Sequence, residues 1–216
     1  MRAEEIYARR FPDAEARQKD RVWREITRWL SRYVPSDAVV LDLACDRGYF
    51  IRHVRARERW ATDLRDVGAE LGDGIHFIRA DGLRLRDALP AASFDVVFTS
   101  NYLEHLANPE AVIEQLAVVR DLLRPGGRAI VLQPNIALVG GAYWDFIDHR
   151  VALTDRSLVE AAQLAGLRTR RVIRRFLPYS TKGRLPAHPA LVRGYLALPL
   201  AWLLLGKQTL YIGARP

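Results

Sequence analysis

The sequence lacks the means for an internal disulfide, because its only cysteine is Cys45. This cysteine usage fits a reducing compartment. No apolar run is long enough to cross a bilayer, since the longest one, residues 195–205, is broken by Pro199 and a span needs roughly 20 apolar residues. The opening stretch, MRAEEIYARRF, is charged throughout and contains no secretory signal pattern. We therefore expect a cytoplasmic protein.

Acidic charge is scarce relative to basic charge, since 33 lysines and arginines face 25 acids and the net charge is +8. Such an excess can serve nucleic acid, anionic lipid or an acidic substrate. Acids are nevertheless interleaved with basic residues almost everywhere before residue 160, and only the stretch 168–193 is basic with hardly an acid. Arginine far outnumbers lysine, which favours a codon bias over a binding face. Nucleic acid is therefore not the expected partner.

Repeats and low-complexity tracts are also missing, and 216 residues favour a single domain over residues 1–216. An N-terminal helical segment is expected within residues 1–35, because apolar residues recur at helical spacing before Pro35. Beyond it, strand patterns alternate with helical ones, which is typical of an α/β fold with a mostly parallel sheet and helices on both faces. The predicted strands are 39–43, 59–62, 75–78, 95–99, 128–132, 167–176 and 209–214, and the predicted helices are 13–34, 109–123 and 155–165.

The most informative segment is VVLDLACDRG at residues 39–48, where a buried strand is predicted to turn sharply into a helix. Asp42 comes at the end of the strand, small residues follow, and Gly48 closes the loop, so a ligand can lie against the backbone. Asp42 either organises the turn amides and attracts an ammonium group or is a simple turn cap.

Two further acids follow predicted strands. Asp63 lies 21 residues beyond Asp42. A carboxylate about 20 residues past such a loop accepts both hydroxyls of a ribose, and the alternative is a helix N-cap. Asp81 and Gly82 follow the third strand, where an acid can accept the amine of an adenine and glycine lets the ring approach. An ordinary Asp-Gly turn fits these two residues equally well.

Side chains after strands four and five supply candidate chemistry. His105, which follows Ser100, Asn101 and Glu104, either contacts cofactor or substrate or simply packs nearby. After strand five, aromatic, acidic and imidazole groups together can bind a hydroxylated substrate and remove a proton. The alternative is a loop packed by its own aromatic residues. This second group consists of Tyr143, Trp144, Asp145, Asp148, His149 and Arg150.

Two connecting segments are long enough to cover a site, residues 133–153 and residues 177–206. The second lies between the last two predicted strands and is rich in proline and aromatic residues, so we expect a cap insertion there. Because the basic stretch TKGRLP precedes an apolar run, residues 182–206 are also a candidate for contact with a membrane surface.

Taken in order, these motifs resemble class I S-adenosylmethionine-dependent methyltransferases over residues 38–175. The resemblance implies a Rossmann-like sheet of seven strands, in the order 3-2-1-4-5-7-6, with an antiparallel last strand. It also implies that residues 99–106, TSNYLEHL, run past the sulfonium. The family's cofactor positions correspond to Asp42, Ala44, Asp46 and Gly48 around the methionine moiety, Asp63 at the ribose, Leu64 against the adenine, Asp81 and Gly82 at the adenine edge, and Asn101 after strand four.

The loop departs from the family pattern acid-x-Gly-x-Gly-x-Gly, because Ala44 and Asp46 stand at the first two glycine positions. Alanine is a mild replacement. Asp46 adds bulk and charge where the backbone normally meets the ligand, so it either pairs with the cofactor's ammonium group or marks weakened binding.

The resemblance implies methyl transfer from S-adenosylmethionine to a small molecule, with S-adenosylhomocysteine as product. The expected acceptor is a hydroxyl oxygen of a metabolite or a lipid-linked sugar, with His149 as the first candidate base and His105 as the second. No metal site is predicted, and a monomer or homodimer is expected. The alternative is a catalytically weakened cofactor-binding or RNA-associated scaffold. Nicotinamide dehydrogenases are disfavoured because G-x-G-x-x-G is missing, and planar-nitrogen methyltransferases because no Pro-Pro pair follows Asn101.

Overall fold

The computed structural model describes residues 13–179 and 188–216 and is built on a seven-stranded sheet in the order β3-β2-β1-β4-β5-β7-β6. Strand β7 is antiparallel to both of its neighbours, and the remaining pairs are parallel. The predicted strand order and orientation are therefore confirmed. The strands are β1 Val39–Leu43, β2 Glu58–Asp63, β3 His76–Arg79, β4 Phe94–Ser100, β5 Leu123–Pro134, β6 Arg168–Leu177 and β7 Gln208–Ala214.

Helices cover the two faces of the sheet, and their ends follow local capping chemistry. The Asn108 side chain accepts a hydrogen bond from the backbone of Ala111, with Pro109 at the first helical position. Thr154 and Ser157 form a capping box at the start of a later helix. The helices are α1 Asp13–Leu30, α2 Gly68–Leu71, α3 Leu85–Ala88, α4 Pro109–Leu122, α5 Ile136–Val139, α6 Asp155–Leu164, α7 Pro189–Ala197 and α8 Pro199–Leu205.

Each face of the sheet carries its own apolar layer. Leu41 belongs to the layer that includes α4 and α6, whereas its neighbour Val40 belongs to the layer that includes α1. All five residues of β1 are buried, as expected for a central strand covered on both sides. The strand that carries Asp42 is therefore held rigidly at the centre of the fold.

The segment after β1 corrects the prediction of a strand that turns directly into a helix. Residues 44–53 form consecutive turns, in which the Gly48 amide donates to the Cys45 carbonyl at 2.8 Å and the Arg52 amide to the Gly48 carbonyl at 3.0 Å. Left-handed backbone at Ala44, Asp46 and Gly48 interrupts the right-handed run that a helix needs. Too few residues then remain before Val54 for a regular helix.

The two helices between β6 and β7 complete one face of the sheet. Trp202 of α8 packs its ring edge-on against Trp29 and Phe176, at centroid distances of 5.5 and 5.4 Å. Arg193 of α7 forms an ion pair with Glu25 of α1 at 2.9 Å. Helix α7 packs against α1 and helix α8 against β6. That residues 177–206 cap the site stays a prediction. Residues 180–187, with the TKGRLP stretch, lie outside the described residues.

Candidate cofactor and catalytic site

The sheet register brings the predicted site residues to one edge. Leu43 pairs with Thr62 on one side and with Thr99 on the other, so β1, β2 and β4 end together. Beyond these pairs, the Cys45 amide donates to the Thr62 carbonyl at 2.9 Å, and the Asn101 amide donates to the Leu132 carbonyl at 2.9 Å. The segments that follow four parallel strands therefore meet at the carboxyl edge, where ligands bind in open α/β sheets.

The loop after β1 keeps a glycine-like backbone without two of the glycines. Ala44, Asp46 and Gly48 have φ angles of +56°, +52° and +69°. Left-handed backbone costs a non-glycine residue roughly 1–2 kcal/mol. The chain thus holds two strained residues at the positions where the resembled family has glycine, and strain of this kind is found at functional sites.

The side chain of Asp42 lies inside the protein. Its carboxylate is buried and accepts a hydrogen bond from the backbone amide of Ile51, which ties down the turns after β1. Burial raises the pKa of Asp42 well above its usual value, and the nearby carboxylates of Asp63 and Asp46 raise it further. The hydrogen bond to Ile51 favours the turn-organising role over direct contact with an ammonium group.

Asp63 is engaged by an arginine that the sequence analysis did not single out. Its Oδ1 accepts from the Arg65 amide at 2.9 Å and from Arg65 Nε at 3.1 Å. Its Oδ2 accepts from the Asp46 amide at 3.0 Å and from Arg65 Nη2 at 3.2 Å. Both oxygens expected to meet a ribose diol therefore already have partners. The same guanidinium contacts Asp46 Oδ1 at 2.9 Å.

Helix α1 adds a second cation that the sequence did not reveal. Lys19 Nζ lies 3.6 Å from Asp46 Oδ2 and 4.7 Å from the centre of the Tyr49 ring. Burial lowers the pKa of Lys19, and Asp46 opposes that shift. Asp46 thus lies between two cations, which accounts for an acid in this loop. Arg65 is only two residues from Asp63 and was detectable by proximity, whereas nothing near the loop in sequence pointed to Lys19.

Asp81 and Gly82, the residues expected at the adenine, are neighbours in the chain, but the structure requires a glycine at position 82 for a different reason. A Cβ on Gly82 would come within 2.4 Å of the Tyr102 hydroxyl and 2.5 Å of Gln115 Oε1, so this glycine makes room for protein side chains. Asp81 is exposed and accepts from the Leu83 amide at 3.0 Å. Burial raises the pKa of Tyr102, and the charges of Asp81 and Asp63 add to the shift, which places both acids near one phenol.

Leu64 is exposed directly beside Asp63, as an apolar contact for a flat ring requires. Asn101 has a φ angle of +49°, and its side-chain amide donates to the Ser100 hydroxyl at 2.9 Å. The segment after β4 therefore also holds a strained non-glycine residue at the same edge.

The two candidate bases meet in one cluster with a buried acid. One ligand-type atom from each of Glu104, His105 and His149 lies within 4.8 Å of the others, and the imidazole centroids are 5.1 Å apart. Burial raises the pKa of Glu104, whose Oε2 accepts from Gln133 Nε2 at 3.0 Å. The Arg150 and Val151 amides donate to the Glu104 carbonyl at 2.8 and 3.1 Å, and so join the segments after β4 and β5.

The residues predicted to bind substrate differ in their exposure and in their contacts. Tyr143 is fully buried and its hydroxyl donates to the Val151 carbonyl, so direct substrate contact does not fit its position. Its carbonyl instead accepts from His149 Nδ1 at 2.7 Å. Asp148 Oδ2 lies 3.3 Å from His105 Nδ1, and Trp144 and Arg150 are exposed. The Trp144 ring is exposed but lies edge-on to that of Tyr143 at a centroid distance of 5.1 Å, so the alternative of a loop packed by its own aromatic residues fits both residues.

Comparison with known proteins decides the family. Residues 15–172 match the family model described as a methyltransferase domain. This chain belongs to that methyltransferase family. It is a class I S-adenosylmethionine-dependent methyltransferase, as the sequence predicted, and S-adenosylmethionine is its cofactor. A search of curated proteins gave no match to this methyltransferase.

Solved structures show the same fold at low sequence identity. An S-adenosylmethionine-dependent methyltransferase from Mesorhizobium loti superposes with a TM-score of 0.62 at 21% identity, covering 86% of this chain and 95% of that one. A complex of the Haloferax volcanii Trm112 methyltransferase activator with a candidate methyltransferase gives 0.66 at 18%, covering 94% of both chains. The N-methyltransferase NodS from Bradyrhizobium japonicum, solved with S-adenosylhomocysteine, gives 0.61 at 13%, covering 88% and 85%.

Proposed function

We propose that this methyltransferase methylates a hydroxyl oxygen of a small molecule, with His149 as the base. The observation that supports this most directly is the meeting of His105 and His149 at the ends of β4 and β5, beside the segment expected to run past the sulfonium. His149 Nδ1 faces a carbonyl oxygen, which can only accept. The neutral ring therefore carries its lone pair on Nε2, the atom that would take the hydroxyl proton.

Bound S-adenosylmethionine supplies a reactive methyl group, so the protein's task is alignment, removal of a proton and exclusion of water. The buried Glu104 and the Asp148 carboxylate hold the His105 imidazole in place, and the Tyr143 carbonyl holds that of His149. The exposed Trp144 and Ile147 provide apolar surface on the adjoining segment. Together they suit an acceptor that has both a hydroxyl and an apolar part.

Cofactor binding requires a local change at Asp63. The path of residues 44–48 fits a methionine moiety, because Ala44, Asp46 and Gly48 have the left-handed backbone that glycine favours. The ribose diol would take the Asp63 oxygens in place of the Arg65 guanidinium. Leu64 would lie against the adenine, and Asp81 would accept its amine. Calorimetry with S-adenosylhomocysteine tests this, since Asp63→Ala should abolish binding while Asp37→Ala, at an exposed acid outside the site, should not change it.

The acceptor class is tested by incubating the protein with methyl-labelled cofactor and a cell extract. We expect label in a small-molecule fraction, in a form stable to mild base as an ether is, and its loss with His149→Ala. Label found only in RNA or protein would overturn the proposal. The basic stretch 168–193 offers little support for an RNA acceptor. Arg174 already pairs with Asp155 at 3.1 Å, and Arg193 pairs with Glu25.

We also propose that α7 and α8 contact a membrane surface. Leu200, Leu203 and Leu204 share one face of α8, at i, i+3 and i+4, and are 76%, 62% and 81% exposed. Trp202 on the opposite side is buried. Among the described residues, no helix has the length and apolar character needed to cross a bilayer. A helix with one strongly apolar exposed face binds at the interface instead, which would suit a lipid-linked acceptor.

Flotation with vesicles of neutral and anionic lipid tests this surface. The wild type should float with the vesicles, and replacement of Leu203 and Leu204 by serine should leave the protein in the dense fraction. Replacement of exposed Leu164 on α6 by serine is the matched control, because it removes an exposed leucine from a different helix. A wild type that stays with the dense fraction at every lipid composition would refute the proposal.

A further inference from the structure

We propose that Glu104, His105 and His149 bind a divalent first-row transition metal ion, a site that the sequence analysis did not predict. One carboxylate and two imidazoles converge with their ligand atoms within 4.8 Å of one another. Zinc ligands at about 2.0–2.2 Å from the ion lie roughly 3–4 Å apart. The cluster is thus slightly wider than a loaded site, by an amount that small side-chain rotations close.

The contacts that the two histidines make through Nδ1 match those of metal-binding histidines. His149 Nδ1 donates to the Tyr143 carbonyl at 2.7 Å, and His105 Nδ1 lies 3.3 Å from Asp148 Oδ2. Histidine ligands nearly always use their other ring nitrogen in this way, since the contact fixes the ring and its tautomer. His105 Nε2 is 4.0 Å from Glu104 Oε1. For His149, Nε2 is the ring nitrogen that would ligate the ion, because Nδ1 donates to the Tyr143 carbonyl.

Glu104 provides an independent argument. Its side chain is 1% exposed, and a buried carboxylate is stable only when charge or hydrogen bonds compensate it. Gln133 gives it a neutral amide donor, while Gln133 Oε1 is itself buried with no hydrogen-bond partner in the part of the chain that the structure describes. An ion with bound water would compensate the carboxylate and offer a donor to that oxygen.

The ligand types select the class of ion. Imidazole nitrogen suits zinc, iron, cobalt and nickel, whereas magnesium and calcium prefer oxygen alone. Two imidazoles and one carboxylate leave open positions. An acceptor hydroxyl bound there would lose its proton more readily, because a bound cation lowers the pKa of a coordinated oxygen. This role rests on the proposed O-methylation, whereas binding of the ion does not. When the ion is bound, His149 would be a ligand, and the hydroxyl proton would pass to a water at an open position of the ion; the base role proposed above belongs to the ion-free protein.

The test uses the untagged full chain, stripped with a chelator and titrated with Co²⁺, followed by visible absorption, and with Zn²⁺, followed by calorimetry. We expect one ion per chain. His105→Ala and His149→Ala should weaken binding at least about 100-fold, and the outer contact variant Gln133→Ala should weaken it about 10-fold. His53→Ala is the matched control, because His53 also pairs with an acid, Asp20 at 3.0 Å, but lies outside the cluster.

Each variant is first checked for cooperative thermal unfolding and for S-adenosylhomocysteine binding. If a change at buried Gln133 prevents folding, the test rests on the partly exposed His149. No Co²⁺ binding by the wild type up to about 1 mM, or an unchanged isotherm in His149→Ala, would overturn the site. Metal binding with methyl transfer unaffected by chelation would overturn the role in catalysis. If the labelled cofactor identifies a nitrogen or carbon acceptor, O-methylation is refuted, but the measured binding of the metal ion is unaffected.

Discussion

The guanidinium of Arg65 spans both carboxylate oxygens of Asp63, with Nε 3.1 Å from Oδ1 and Nη2 3.2 Å from Oδ2. A fork-like contact of this kind is among the stronger protein hydrogen-bond arrangements. It occupies the acceptor sites that a ribose diol would use, while Asp63 also accepts from two backbone amides. If the ribose takes the Asp63 oxygens, as proposed, the side-chain contacts of Arg65 are exchanged when the cofactor binds.

Removing this competition should tighten cofactor binding. We expect Arg65→Ala to lower the Kd for S-adenosylhomocysteine about 10-fold, since hydrogen bonds to charged groups contribute about 1.5–3 kcal/mol and part of this is lost on exchange. Arg65→Lys keeps the charge without the fork and should lie between wild type and Arg65→Ala. Calorimetry measures all three.

Arg59→Ala is the control for Arg65. Arg59 lies near the opposite end of β2 from Asp63, and its Nη2 donates to the Asp73 carbonyl. Its Kd should equal that of the wild type. If Arg65→Ala instead weakens binding, the guanidinium is part of the cofactor site and the competition argument is wrong.

The buried carboxyl of Asp42 should make stability fall as pH rises. Burial raises its pKa in the folded state, so the folded protein holds this proton at pH values where the unfolded chain has lost it. The contribution is fully favourable below the unfolded pKa of about 3.9 and is lost as pH rises from there toward the folded pKa.

Asp42→Asn removes the charge and keeps an oxygen that accepts from Ile51. We expect its free energy of unfolding in urea to exceed that of the wild type at pH 8 and the difference to shrink at pH 4. Asp37→Asn, at an exposed acid before β1, should show no such pH-dependent difference. A constant difference across this range would mean that folding does not shift the pKa of Asp42.

The strands and the carboxyl edge were predictable from local apolar patterns and from the acidic residues near the strand ends, whereas the strand order came only from the resemblance to class I methyltransferases. Asp42, Asp63 and Asp81 each come at the end of a strand, and parallel pairing then brings them together. Lys19 and the partner of Arg193 were not predictable, because their contacts join residues far apart in sequence. The packing of α7 and α8 against α1 and β6 was not predictable either, since apolar residues alone do not tell which surface they bury.

Gly48 should be intolerant of a side chain for two separate reasons. Its φ angle is +69°, and a Cβ there would lie 2.4 Å from Leu71 Cδ2. We expect Gly48→Ala to lower the free energy of unfolding by about 2–4 kcal/mol, from left-handed strain and overpacking together. Gly141→Ala, where a Cβ meets no atom within 4 Å, should change it by less than about 0.5 kcal/mol. Urea denaturation of both variants gives the comparison, and equal values for the two would contradict the packing of the loop against α2.

A substitution at Trp202 distinguishes a structural role of α8 from a role as a lid over the site. Its ring is buried against Trp29 and Phe176, and its Nε1 donates to the Tyr195 carbonyl at 2.8 Å. Trp202→Ala should lower the free energy of unfolding by about 3–5 kcal/mol, as large-to-small changes in a core do. Its KM for S-adenosylmethionine, measured well below the unfolding temperature, should stay unchanged. The neighbouring exposed Leu203→Ala should alter stability by less than about 0.5 kcal/mol. If Trp202→Ala keeps wild-type stability but raises the KM, then α8 moves over the site and the sheet face is not its permanent place.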